Sequence, residues 1–241
     1  MNAILFPGQG SQTVGMGLEF YNNFEIVKKI FKEADEKLNY DISKIILEGP
    51  DDKLKLTQNT QPAILVVSYS IFSVLKNEFG FDLSSTKYFA GHSLGEYSAL
   101  VCSESLKFND ALFLLYERGK CMQEAVPIGR GTMIAVLGSK IDEIKDFINS
   151  VNVQGVCEIA NDNAEGQIIL SGDLEKMNNL KDILKENKKK FIPLNVSAPF
   201  HCSLMKPAAL KMKDKINLVK FQKPNFDIVS NVTSVPERNP E

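Results

Sequence analysis

Ser93 stands between two glycines in Gly91-His-Ser-Leu-Gly95, with His92 directly before it. A serine at this spacing suits a sharp strand-to-helix turn, because glycine on each side removes bulk where strand and helix crowd together. The flanks agree. Residues 86–90 read as a short strand, and 96–102 as a helix burying Tyr97, Ala99, Leu100 and Val101. Such a helix aims its first amides and the positive end of its dipole at the hydroxyl. The chemistry this suggests is nucleophilic attack, but a serine hydroxyl is a weak nucleophile without a base. There are only two histidines, His92 and His201. His201 follows Pro199 at the end of a strand pattern, where it is either an ordinary packed imidazole or that base. Arg118, in Glu117-Arg-Gly119, is either a solvated cation or a planar fork able to take a carboxylate through two hydrogen bonds.

These side chains need elements to hold them. Residues 3–6 form an apolar strand pattern that runs into Pro7-Gly-Gln9-Gly-Ser-Gln12. That loop lacks the Lys-Ser/Thr of a phosphate-binding loop, and G-x-G-x-x-G does not occur, so close approach of backbone and Gln side chains to a substrate is expected rather than nucleotide binding. Helical spacing marks 24–38 and 42–47. Pro62 suits a helix start, predicting a buried helix over 63–78 with Leu65, Tyr69, Phe72 and Leu75 on one face. Another helix is expected over 109–125, carrying Arg118. After a Pro127–Gly131 hinge the pattern changes to strand 132–137, helix 141–148, strand 156–161, strand 167–171, helix 174–186 and strand 190–196. That is β-α-β-β-α-β, a ferredoxin-like subdomain inserted into a larger α/β domain. A Lys-rich helix over 208–218 and a strand over 226–230 follow.

Composition narrows the class. The 241 residues are 44% hydrophobic and 24% charged, ordinary for a globular chain. No apolar run is long enough to span a bilayer, and the N-terminus has no basic region, so a cytoplasmic protein without a signal peptide is expected. Four scattered Cys without a C-x-x-C argue against a disulfide framework or a metal site. Net charge is −2, yet 176–223 holds twelve Lys against three carboxylates. This is either a solvated surface or an attraction for a phosphorylated molecule or an acidic partner. Few aromatics are interleaved with it and Arg is all but absent, which speaks against nucleic acid.

Phe6-Pro-Gly-Gln-Gly-Ser-Gln12, Gly91-His-Ser-Leu-Gly-Glu-Tyr-Ser98, Glu117-Arg-Gly119 and Ala198-Pro-Phe-His201 occur in that order. Together they resemble the malonyl-CoA:acyl-carrier-protein transacylases of type II fatty acid synthesis, and also the acyltransferase domains of polyketide synthases. The resemblance implies an α/β-hydrolase-like core with a parallel sheet (1–127 and 198–241), a ferredoxin-like subdomain (128–197), and an active site in the cleft between them. It implies Ser93 as acylated nucleophile, His201 as general base and Arg118 as partner of the free malonyl carboxylate. It further implies an oxyanion hole from the backbone N–H groups of Gln9 and Leu94, with Gln61 and Asn161 as polar contacts to substrate. The Pro-Phe-His form resembles the malonyl-selecting version, since methylmalonyl-selecting domains tend to carry Ser before the His. Malonyl-CoA is then a substrate, acyl carrier protein a partner, and no cofactor is required. Family members continue past the Asn231-Val-Thr233 region with a Gly-Pro-Gly-containing strand whose segment orients the His through a backbone carbonyl. The resemblance therefore implies that this C-terminal part of the core is missing from the chain.

Two alternatives remain. A serine esterase or thioesterase on the same core would want an acid between Ser and His in chain order and an HGGG-type oxyanion loop. Asp162 and Asp173 are available, but both lie in the subdomain pattern, and no such loop is present. A non-catalytic module that binds carrier protein would keep the surface and lose the chemistry. Malonyl-CoA consumption with and without carrier protein separates transferase from esterase, and intact mass after malonyl-CoA separates either from the binding module.

Overall fold

A computed structural model describes residues 2–127, 129–194, 196 and 198–240. The chain divides into two compact units, Met1–Gly119 with Asp214–Glu241, and Lys120–Lys213. The sequence-derived limits of 128 and 197 for the subdomain fall within the second of these.

In the first unit, β1 (Asn2–Phe6) leads through a loop to α1 (Leu18–Asn23), α2 (Glu25–Leu38), α3 (Ile42–Leu47), α4 (Asp51–Leu54) and α5 (Thr57–Asn77). Then come β2 (Thr86–Gly91), α6 (Gly95–Cys102) and the long α7 (Phe108–Ala125), which crosses the boundary at Gly119. The helix α5 starts earlier than Pro62 suggested, with Pro62 inside it. Thr60, Gln61, Pro62 and Ala63 are all buried there. Tertiary packing of this turn outweighs the preference of Pro for a first turn.

In the second unit, β3 (Gly131–Leu137), α8 (Ile141–Ser150), β4 (Cys157–Ala164), β5 (Gln167–Asp173), α9 (Leu174–Glu186) and β6 (Lys190–Pro193) follow in the expected succession. The strands form an antiparallel sheet in the order β4-β5-β3-β6. This is the ferredoxin-like arrangement, in which each split β-α-β pair encloses a strand of the other. Ile134, Val136, Ile168 and Leu170 meet Ile144, Met177, Leu180 and Leu184 in its core. Helix α10 (Lys206–Ile216) crosses back into the first unit, where β7 (Asp227–Val229) and β8 (Pro236–Glu237) join a sheet in the order β1-β2-β7-β8.

Strands β1, β2 and β7 run parallel, so their carboxyl ends gather on one edge of the sheet. That edge is where an open α/β sheet places its site. Beneath it Phe89 stacks on Phe226 at a centroid distance of 4.5 Å and also meets Phe6 and Phe72. Each fully buried aromatic contributes about 2–3 kcal/mol of transfer free energy, which anchors the loops above it. Among the described residues no helix is long and apolar enough to cross a membrane.

Candidate active site

The turn between β2 and α6 has the geometry its glycines foretold. A Cβ on Gly91 would fall 1.9 Å from the Gly95 carbonyl carbon, and one on Gly95 would fall 2.5 Å from the Phe6 carbonyl oxygen. Only hydrogen fits at either place. Between them Ser93 adopts φ 54°, the left-handed region, at a cost of about 1–2 kcal/mol for a residue with a side chain. His201 holds the same kind of backbone, φ 57°. Strained backbone at two chemically capable residues is the pattern expected of a working site.

The elbow is tied down on three sides. His92 donates its backbone N–H to the Phe6 carbonyl at 3.1 Å, joining the elbow to the end of β1. The loop carrying Gln9 lies close by, since a Cβ on Gly8 would sit 2.6 Å from the His92 carbonyl. Gly95, Glu96 and Tyr97 bond back to His92, Ser93 and Leu94 in the opening turn of α6. The N–H of Leu94 therefore belongs to the start of that helix, and the Leu94 side chain is fully buried. Asn231, just past β7, forms the third tie. It accepts the Ser93 backbone N–H at 2.8 Å, and its amide group donates to the Gly91 carbonyl at 2.7 Å and to Glu96 Oε2 at 2.6 Å.

Arg118 reaches this turn from α7. Its Nη2 donates to Ser93 Oγ at 3.1 Å and its Nη1 to Gln61 Oε1 at 2.8 Å. The approach is possible because α7 presses on the first turn of α5: a Cβ on Gly119 would lie 2.5 Å from Gln58 Cα and from the Thr57 carbonyl oxygen. Burial draws the guanidinium below its ordinary proton affinity, opposed by Tyr97 and Glu96, but arginine stays charged at neutral pH. Burial likewise pushes Glu96 above its ordinary value, with the Asn231 hydrogen bonds and the Arg118 charge acting the other way.

Ser93, Arg118, Gln61, Gln9 and Leu94 are thus brought together within the first unit. Gln61, expected to contact substrate, is fully buried and accepts a hydrogen bond from the Arg118 fork. Asn161 and His201 belong to the second unit. Asn161 sits at an irregularity in the β4–β5 pairing. His201 lies in a turn whose next residues are held by Glu158, which accepts the Ser203 N–H at 2.7 Å and the Ser203 hydroxyl at 2.6 Å. Sequence reading missed Asn231 and Glu96. Glu96 was visible as the acidic first-turn residue of the helix after Ser93, whereas Asn231 enters only through folding, 138 residues from Ser93.

An apolar cavity of about 370 Å³ opens on the β1 side of the sheet, lined by Leu5, Val67, Ile71 and Phe81 among others. Ser93 does not line it. Of the Lys-rich stretch, Lys185, Lys189, Lys211 and Lys215 make ion pairs with Asp182, Glu143, Glu124 and Glu117. Part of that charge is therefore paired within the chain.

The chain matches the acyl transferase domain family over residues 4–241. It is 43% identical over 234 residues to malonyl CoA-acyl carrier protein transacylase of Bacillus subtilis (strain 168), covering 96% of this chain and 73% of that protein. The crystal structure of acyl-carrier-protein-S-malonyltransferase from Bartonella henselae superposes with a TM-score of 0.95 at 39% identity, over 100% of this chain and 77% of the other. A malonyl-transacylase solved in complex with a type II PKS acyl-carrier protein gives a TM-score of 0.94 at 39% identity, over 99% and 76%.

Proposed function

Because the chain belongs to the malonyl CoA-acyl carrier protein transacylases of the acyl transferase family, we propose that it moves a malonyl group from malonyl-CoA to the phosphopantetheine thiol of an acyl carrier protein through an ester on Ser93. One observation carries the residue assignment: a guanidinium lies 3.1 Å from the hydroxyl of an elbow serine. Malonyl has its free carboxylate one methylene from the carbonyl under attack. A fork beside the nucleophile can hold that carboxylate while the carbonyl meets Ser93 Oγ.

Ser93 Oγ attacks the thioester carbonyl, and its proton passes to the general base, assigned to His201. The N–H groups of Gln9 and Leu94 receive the negative charge on the carbonyl oxygen, a contribution of about 3 kcal/mol per donor. The C–S bond then breaks, His201 returns the proton to the departing CoA sulfur, and malonyl stays on Ser93. The carrier thiol repeats the sequence in reverse and frees the serine, a ping-pong transfer. Gln61 fixes the fork, and Asn161 is assigned a polar contact to substrate. The thioester is already activated, so this chemistry needs no cofactor. A cytoplasmic setting suits the reading, and four scattered cysteines without a C-x-x-C fit a reducing compartment.

Intact-mass measurement after exposure to malonyl-CoA tests the proposal. A malonyl adduct is expected on the wild type, absent in Ser93→Ala and formed about 10²–10⁴-fold more slowly in His201→Ala. Transfer onward requires carrier protein; loss of the adduct to water at the same rate without carrier would instead make the chain a thioesterase.

A further inference from the structure

We propose that Asn231 is a positioning residue for the nucleophile: its carboxamide, oriented by Glu96, holds the Ser93 elbow in the conformation from which acyl transfer proceeds. The inference rests on Ser93 being the acylated residue. It adds a part that neither the elbow motif nor the Arg118 pairing supplies.

The bonds leave Asn231 a single orientation. Its Oδ1 faces a donor, the Ser93 N–H at 2.8 Å, while its Nδ2 faces two acceptors, the Gly91 carbonyl at 2.7 Å and Glu96 Oε2 at 2.6 Å. A flipped amide would oppose donor to donor and oxygen to two oxygens. Its own backbone N–H also donates to Glu96 Oε2 at 3.3 Å. One side chain thus grips the end of β2 at Gly91, the apex at Ser93 and the first turn of α6 at Glu96. The apex is the point that needs gripping, because Ser93 is held at φ 54° and strained backbone persists only where its surroundings fix it.

The grip also has chemical content. With its N–H taken by Asn231, Ser93 cannot turn that amide toward a developing oxyanion. This leaves the role to Leu94, one residue into the helix start. Glu96 links the clamp to acyl recognition, since the carboxylate that holds Asn231 is also felt by Arg118. Asn231 itself lies on the surface, so replacing it removes hydrogen bonds and leaves the buried core in place.

The test is the rate of malonyl-adduct formation on the full chain with malonyl-CoA, followed by rapid-quench mass measurement over a range of substrate concentrations. Asn231→Ala is expected to lower the maximal acylation rate about 10²-fold, the penalty for a small misplacement of a reacting group, with apparent affinity for malonyl-CoA unchanged. Asn231→Asp keeps the acceptor for Ser93 but sets a second carboxylate against Glu96, and should be at least as slow at neutral pH. The double variant Asn231→Asp with Glu96→Gln restores a donor between the two positions, though not the bond to the Gly91 carbonyl, and should recover part of the loss, a rescue that a merely structural role does not give. In the wild type the Ser93 amide should exchange with solvent slowly, a reading that needs no variant to fold. A wild-type rate in folded Asn231→Ala, a double variant no faster than Asn231→Asp, or a fast-exchanging Ser93 amide overturns the positioning role. If the wild type itself forms no adduct, the transferase reading falls and the positioning role falls with it.

Discussion

Arg118 brings a positive charge to a half-buried position where its neighbours are Ser93, Gln61, Tyr97 and Glu96. A charge-assisted hydrogen bond contributes about 1.5–3 kcal/mol. Arg118→Ala should therefore reduce malonyl transfer about 10- to 10²-fold and acetyl transfer far less, because acetyl offers no carboxylate; equal losses in parallel assays with the two thioesters would remove the carboxylate role. Glu96 gives a pH-dependent signature. Burial raises its folded proton affinity above the unfolded value of 4.5, so the native state holds the proton more tightly. Stability linked to this group is complete below pH 4.5 and declines as pH rises through the folded value. Urea unfolding of wild type and Glu96→Gln from below pH 4.5 to neutrality should show the difference moving in favour of Gln as pH rises; the opposite slope would mean that the Asn231 bonds and Arg118 dominate over burial. At this scale the Ser93 elbow was legible from residue type and spacing, whereas a role for Arg118 came only with the family resemblance. Asn231 was not legible, since nothing in its local sequence marks a bond to a residue so distant.

Helices and strands act here by how closely they approach. The elbow depends on α6 nearly touching the end of β1, and the fork depends on α7 nearly touching α5. Gly119→Ala should push those two helices apart, costing about 1–3 kcal/mol by overpacking and drawing Arg118 away from Ser93. The expected result is a lower melting temperature together with reduced preference for malonyl over acetyl; lost stability with preference intact would show that the fork does not depend on this approach. Element type was readable because hydrophobic period and turn residues act locally. The second unit followed its expected strand and helix order, and α9 fell on the expected 174–186. The start of α5 was not readable, because burial of Thr60 to Ala63 decides it and burial belongs to the folded state.

Taken as a whole, the chain inserts one unit into another, and β7 and β8 of the first unit follow the insertion in sequence. The motifs identified the family because they recur in a fixed order, a property independent of distance in space. The compact units, Lys120–Lys213 and the two segments around it, were less visible, since α7 and α10 both run through the boundary without a break. The pairing of β2 with β7 has a consequence for the order of events in folding. Tyr88 meets Asp227 and Ala90 meets Val229, so the inserted unit lies in the loop that must close before the sheet exists. Such distant pairings form late, because the entropy of closing the loop is lost before the contacts return it. The Asn231 tie can form only after that closure. On dilution from denaturant, helical signal should return first and the capacity to accept a malonyl group last, so the Ser93 elbow is withheld from thioesters until late in folding.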